Sequence, residues 1–158
     1  GLGDVYKRQG EPVDPTSVVE LPVVNGALQF PSIGSTPSDP FLQRVEASGK
    51  KWVILVDADE RPRLVLDADG LIRNALFHSE SLEPRQFCHR PVIVEDPRTP
   101  LGEVIARLTV LAKRPEDDVI DRDLILLWGE KRRVITGADI LGRLLRGVVP
   151  SRNQWPNQ

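Results

Sequence analysis

The chain has 158 residues, 40% of them hydrophobic and 28% charged, and 21 basic against 23 acidic side chains leave a formal net charge of −2. That size suits one domain, or two small modules sharing a core, with enough burial to fold without staples. Near-balanced charge and 5% aromatic residues exclude both the electrostatic footprint and the stacking platform of a nucleic-acid binder. No apolar run approaches the length of a membrane span. The single cysteine, Cys88, forbids an intrachain disulfide and points to a reducing, cytoplasmic setting.

The opening "GLGDVYKRQ" (1–9) resembles a translated sequencing-adapter tail, and the chain contains no Met. A fragment or processed piece is therefore expected, with residues 1–9 outside the fold. Residues 10–35 are rich in Pro, Gly, Ser and Thr and read as an extended lead-in, with "SVVELPVV" (17–24) as one short strand. "DPFLQRVEASG" predicts a short helix capped by Asp39, with Pro40 in its first turn and Gly49 as its stop. "KWVILVDADERPRLVL" gives two strands around a polar turn. "DADGLIRNALF" continues as a helix with Leu71, Ile72, Ala75 and Leu76 on one face. His78 and His89 read as linker residues, because "CH" at Cys88 and His89 lacks the paired spacing of a structural zinc site.

The same order then returns. "RPVIVEDP" is a strand, and "TPLGEVIARLTVLAKRP" a helix capped by Thr99, with Pro100 first and a stripe of Leu101, Val104, Ile105, Leu108 and Leu111. "DLILLW" and "RVITG" flank the turn "GEKR". "ADILGRLLRGV" closes with Ile140, Leu141, Leu144 and Leu145 at the spacing of Leu71, Ile72, Ala75 and Leu76. The runs "EDPR" and "RPEDD" read as solvated loops. Residues 150–158 read as a frayed tail in which Trp155 docks or belongs to a longer partner domain. Sliding the chain on itself by about 70 residues thus superposes one helix-strand-strand-helix unit, 36–80, on another, 81–149. One such unit cannot cover both faces of its sheet, but two stacked about a pseudo-twofold axis can, which predicts an α+β fold with clefts between the units.

This repeat resembles a tandem pair of CBS domains, the Bateman module, over roughly residues 36–149. The family's hairpin commonly ends in Gly-hydrophobic-hydrophobic-Thr/Ser-x-x-Asp, and "RVITGAD" fills it with Thr136 and Asp139, while Arg133 stands in the Gly slot. The resemblance implies an adenosine-type ligand such as AMP, ADP, ATP or S-adenosylmethionine. Asp139 would accept from the ribose hydroxyls, Thr136 would lie near ribose and phosphate, and Ile93 and Ile120 would sandwich the adenine. Arg132 and Arg133 sit beside this site, either meeting phosphates or as hairpin charges in water. Thr136 and Asp139 also suit plain helix capping.

In the first repeat, "RLVLDADGLIR" puts Leu64, Asp67 and Gly70 in those slots, with Asp69 one residue away. Carboxylates there would repel an anion, so that half-site is expected to be empty and Asp67 and Asp69 to serve as cap and turn. No Ser-His-Asp order, phosphate-binding Gly loop or metal cluster stands out, so a small enzyme is the least supported class. The expectation is a regulatory, ligand-sensing homodimer that needs no cofactor and has no nucleic-acid or membrane partner. The alternative is a structural homodimerisation module with vestigial pockets, cut from a transporter or an enzyme.

Overall fold

The structure, a computed structural model, describes residues 9–108 and 119–148. The closing tail 150–158 with Trp155, Leu111 of the expected helical stripe, the run at 114–118 and the side chain of Leu144 lie outside the described residues. So do the first eight residues of the opening tail.

Among the described residues the strands are β1 (Glu11–Pro12), β2 (Val18–Glu20), β3 (Val23–Val24), β4 (Ala27–Leu28), β5 (Trp52–Val56), β6 (Pro62–Asp67), β7 (Cys88–Val94), β8 (Ile120–Trp128) and β9 (Arg132–Thr136). The helices are α1 (Pro40–Glu46), α2 (Ala68–Phe77), α3 (Leu101–Arg107) and α4 (Gly137–Val148). Seven strands form one sheet in the order β1-β9-β8-β7-β6-β5-β2, and β3 and β4 form a separate hairpin. The fold is mixed α and β. The two units expected as separate stacked sheets instead share this single sheet, joined edge to edge through β6 and β7.

Each half is a strand, a helix, two strands and a helix. In the first, β2 runs parallel to β5, β5 antiparallel to β6, and α2 follows; in the second, β7 runs parallel to β8, β8 antiparallel to β9, and α4 follows. The opening strand of each half adds to the helix-strand-strand-helix unit expected from sequence. β2 is only three residues long among prolines, and its ladder to β5 lies more than 30 residues away in the chain.

Why the hairpin strands read as unbroken apolar runs follows from burial on both faces. All five residues of β5 are buried. Val53 and Leu55 enter a core under α1 and α2 with Val45, Leu66 and Leu71. Ile54 and Val56 point the other way and meet Val65, Leu124, Leu126 and Val134. In β8, Ile125 and Leu127 face Val104 and Ile140 of α3 and α4, while Leu124 and Leu126 join the shared cluster. Helices thus cover the outside of each half, and the inner faces of the two halves pack on each other. Each buried Val, Leu or Ile contributes about 1.5–3 kcal/mol.

The sheet curls far enough for its edges to meet. Glu11 of β1, beside β9, accepts from the N–H groups of Lys51 and Trp52 at 3.0 Å each, at the start of β5. Gly10 makes that approach possible: its φ is +80°, and a Cβ there would lie 2.0 Å from the Val134 carbonyl oxygen. Only glycine fits both constraints.

Local signals place the helices unevenly. Asp39 caps α1 by accepting from Leu42 at 2.9 Å, with Pro40 in the first turn. The Gly34 and Leu42 N–H groups hold its carboxyl below the usual carboxylate range. Thr99 does not cap α3. Its hydroxyl donates to the Asp96 carbonyl at 2.7 Å within a preceding turn, so Pro100 takes the cap position with no side-chain bond. Cys88 and His89 are not linker residues either, because both are buried in β7, where the ladder to β6 draws them inside. Burial pushes the Cys88 thiol up to about 12.

Candidate functional site

The junction of β9 and α4 brings Thr136 and Asp139 together. Asp139 Oδ2 accepts from the Thr136 N–H at 2.9 Å, and Thr136 Oγ1 accepts from the Asp139 N–H at 3.1 Å. This reciprocal pair is a capping box, which satisfies two N–H groups that the helix itself cannot. In the first half, Asp67 caps α2 alone, accepting from Gly70 at 3.2 Å, with Lys51 3.8 Å from it.

The two arginines of the second hairpin turn to structural tasks. Arg133 donates to the carbonyls of Gln9 and Gly10 at 2.8 and 3.1 Å, binding the N-terminal segment to β9. Gln9, the last residue of the stretch expected to stay outside the fold, is therefore held by it. The Arg132 guanidinium lies 3.7 Å from the centroid of the Trp128 ring. Along β9, Arg133 is three residues from Thr136, about 10 Å at roughly 3.3 Å per residue. Ile120 opens β8 opposite His89, and Ile93 pairs with Leu126.

A groove of about 500 Å³ runs along the seam between the halves, within the roughly 300–1,000 Å³ of small-ligand sites. Its wall holds Ile93 and five arginines, Arg63, Arg85, Arg90, Arg107 and Arg122, with no acidic side chain. Ile120, Arg133, Thr136 and Asp139 are not in that wall. Several features of the fold open it. The β6–β7 ladder spans only Val65↔His89 and Leu66↔Cys88, with Pro62 and Pro91 just beyond its end, where neither can donate a backbone hydrogen bond. The β3–β4 hairpin, turned at Asn25 and Gly26 with φ of 52° and 80°, forms part of the wall through Gly26, Ala27 and Leu28.

Each arginine comes from a different element. Arg63 on β6 donates through Nε to Asp57 at 2.9 Å, and that guanidinium is the first of the groups holding the Asp57 carboxyl below the usual range. Arg85 lies in the short 3-10 turn Pro84–Phe87. Arg90 on β7 is 3.4 Å from Asp121. Arg107 ends α3 and reaches the Ile93 carbonyl at 3.5 Å. Arg122 sits on a bulge of β8. Between Arg90↔Asp121 and Val92↔Ile125 the chain advances two residues on β7 and four on β8, and Arg122 takes a left-handed φ of 53°. An L-residue other than glycine pays about 1–2 kcal/mol for that conformation.

The same bulge carries Asp123, whose carboxylate meets His89 Nδ1 at 2.9 Å, while the His89 ring stands edge-on to Trp52 at 5.3 Å between centroids. Among the described residues no group of three or more His, Cys, Asp or Glu is placed to hold a metal ion, and no helix is long and apolar enough to cross a membrane. Sequence reasoning missed the arginine groove because its members span residues 63 to 122 on separate elements, so no local motif joins them. The available signal was compositional: 16 of the 21 basic residues are arginine. Comparison of the chain with protein-family models, curated proteins and solved structures returns no match.

Proposed function

We propose that this protein is a non-catalytic regulatory module of the tandem CBS type, working in the cytoplasm, that binds an adenosine-type ligand between its halves. The observation that carries the reading is the twice-repeated strand-helix-strand-strand-helix order with an arginine-lined groove at the seam. Strands β2, β5 and β6 recur as β7, β8 and β9 in the same order and the same relative directions. In a curled sheet, rotation about an axis along the strands generates that arrangement, which supports a pseudo-twofold. Guanidinium groups suit phosphate oxygens, and Ile93 offers an apolar surface for a flat ring. The capping box engages Thr136 Oγ1 and only one carboxylate oxygen of Asp139, which leaves Asp139 Oδ1 for ribose hydroxyls.

A thermal-shift panel of AMP, ADP, ATP and S-adenosylmethionine tests this. The nucleotides are expected to stabilise the fold and to outrank S-adenosylmethionine, which has no phosphate for the arginines. A ligand at a hundred times its Kd adds about 2.7 kcal/mol. A flat response to all four overturns the reading.

A second reading, a homodimerisation module with vestigial pockets, is favoured by α4, where Leu141 and Leu145 are 56% and 50% exposed beside the buried Ile140. A flat panel together with a dimer mass in light scattering at micromolar concentration selects it.

A further inference from the structure

We propose that the seam groove is built for a chain of at least two linked phosphoryl groups, so that it selects polyphosphorylated small molecules over monophosphates. The inference deepens the proposed function, on which it rests for the idea that the groove takes a ligand at all. Five guanidinium groups surround one cavity of about 500 Å³ whose wall contains no carboxylate. Each guanidinium carries five N–H donors in a rigid fork. A phosphate monoester presents three terminal oxygens and a charge of about −1.5 to −2, too few to engage five such forks. Two or three linked phosphoryl groups supply both the oxygens and the charge. Low-dielectric walls such as Leu28, Leu64 and Val92 strengthen the attraction by focusing the field.

The arginines also come from both sides of the seam, Arg63 from the first half and Arg90, Arg107 and Arg122 from the second. A polyanion seated there ties the halves together where the β6–β7 ladder has already stopped. Arg122 supplies an independent sign. The bulge that carries it holds a left-handed backbone, and such strain persists where the surrounding structure enforces it, commonly at ligand clamps. The groove is bounded by the β3–β4 hairpin and the end of α3, which suits a compact ligand better than a polymer.

Calorimetric titration of the full chain with inorganic tripolyphosphate, ATP, AMP, adenosine and, at matched ionic strength, sulfate tests the proposal. Tripolyphosphate and ATP are expected to bind at least tenfold more tightly than AMP or sulfate. The double variant Arg107→Gln/Arg122→Gln should weaken tripolyphosphate at least tenfold, while Arg73→Gln on the exposed face of α2 changes it less than twofold. If the double variant does not fold, Arg122→Gly replaces it, since glycine accepts the left-handed φ; it should weaken tripolyphosphate at least threefold. Equal effects of tripolyphosphate and sulfate, or arginine variants that fold and bind unchanged, overturn the proposal. So does a single-stranded oligonucleotide that binds more tightly per phosphate than tripolyphosphate. Binding of tripolyphosphate without preference for adenosine compounds keeps this inference and rejects the adenosine ligand. Binding of adenosine and AMP with no tripolyphosphate effect does the reverse.

Discussion

Both halves of the sheet run a strand directly into a helix, at Asp67 and at Thr136, and they finish that junction and the layer around it differently. In the first half one carboxylate caps α2, and α1, α2 and the β4 residue Leu28 cover a core that reaches from Val19 to Val119. In the second, two side chains cap α4 reciprocally, yet the helices over the smaller core of Val92, Val104, Ile125 and Ile140 leave Ile105, Leu141 and Leu145 in solvent. The same chain order therefore yields one half with a finished apolar layer and one whose helices still present apolar surface. The first half serves as a scaffold. The second carries most of the groove's arginines and the apolar face open to a second copy.

The largest effect that can break this comparison comes from the cores. Leu66 on β6 and Ile135 on β9 each lie one residue before a junction, and both are fully buried. Leu66→Ala and Ile135→Ala should each cost about 2–5 kcal/mol. Because the halves share the Ile54, Val65, Leu124 and Val134 cluster, both variants should lower one common denaturation midpoint. Two separate transitions, each sensitive to only one variant, would mean that the halves are independent units.

Next comes Gly10. Replacement by Ala forces a side chain into the Val134 carbonyl at a positive φ and should cost about 2 kcal/mol in chemical denaturation. A neutral result would detach the N-terminal segment from the second half.

The caps should differ less. Asp67→Ala and Asp139→Ala are each expected to lower stability by about 1 kcal/mol. If Asp139→Ala alone also weakens an adenosine ligand tenfold or more, the second junction reads ribose as well as capping its helix. If it lowers stability without touching affinity, both junctions are caps and nothing more.

The smallest expected effect separates the two hairpin turns by pH. Asp57 Oδ1 accepts from the N–H groups of Asp59 and Arg61, and its Oδ2 from Arg63. Its carboxyl is depressed, so its stabilising share is complete above the ordinary Asp range near pH 4 and is lost as pH falls through the lower folded value. Asp57→Asn should shallow the fall in Tm between pH 5 and pH 3, whereas Glu130→Gln in the exposed second turn leaves it unchanged. An identical acid profile for Asp57→Asn and the parent chain would remove the distinction.

What was legible in the sequence follows the range of the forces involved. Both hairpins and the helices after them could be read because Val, Ile and Leu cluster on either side of short polar turns, and because Leu71 and Ile140 start matching apolar patterns. Asp39 and Pro40 announce α1 by local chemistry alone. β2 was obscured by neighbouring prolines, since its strand character rests on a parallel ladder to β5 rather than on its own residues. The single sheet was hidden for a similar reason: two pairs of residues between β6 and β7 decide it. Thr136 and Asp139 were picked out correctly as a linked pair, and they do meet. The arginines were not, because the curl that gathers them is a property of the whole sheet.

That curl has a further consequence for self-association. An open sheet ends in strands whose unpaired N–H and C=O groups can template pairing with another chain. Here both ends are short and marked by proline. β1 is two residues long and contains Pro12, while β2 is three residues long and lies between Pro15 and Pro22. Glu11 then anchors one edge beside the other. A chain shortened to begin at Val13 would lose β1, the Glu11 anchor and the carbonyls that hold Arg133, and would bare the five-residue edge of β9. Such a chain should form thioflavin-positive aggregates on mild warming while the full chain stays clear, so two residues of strand would have acted as the molecule's guard against fibrils.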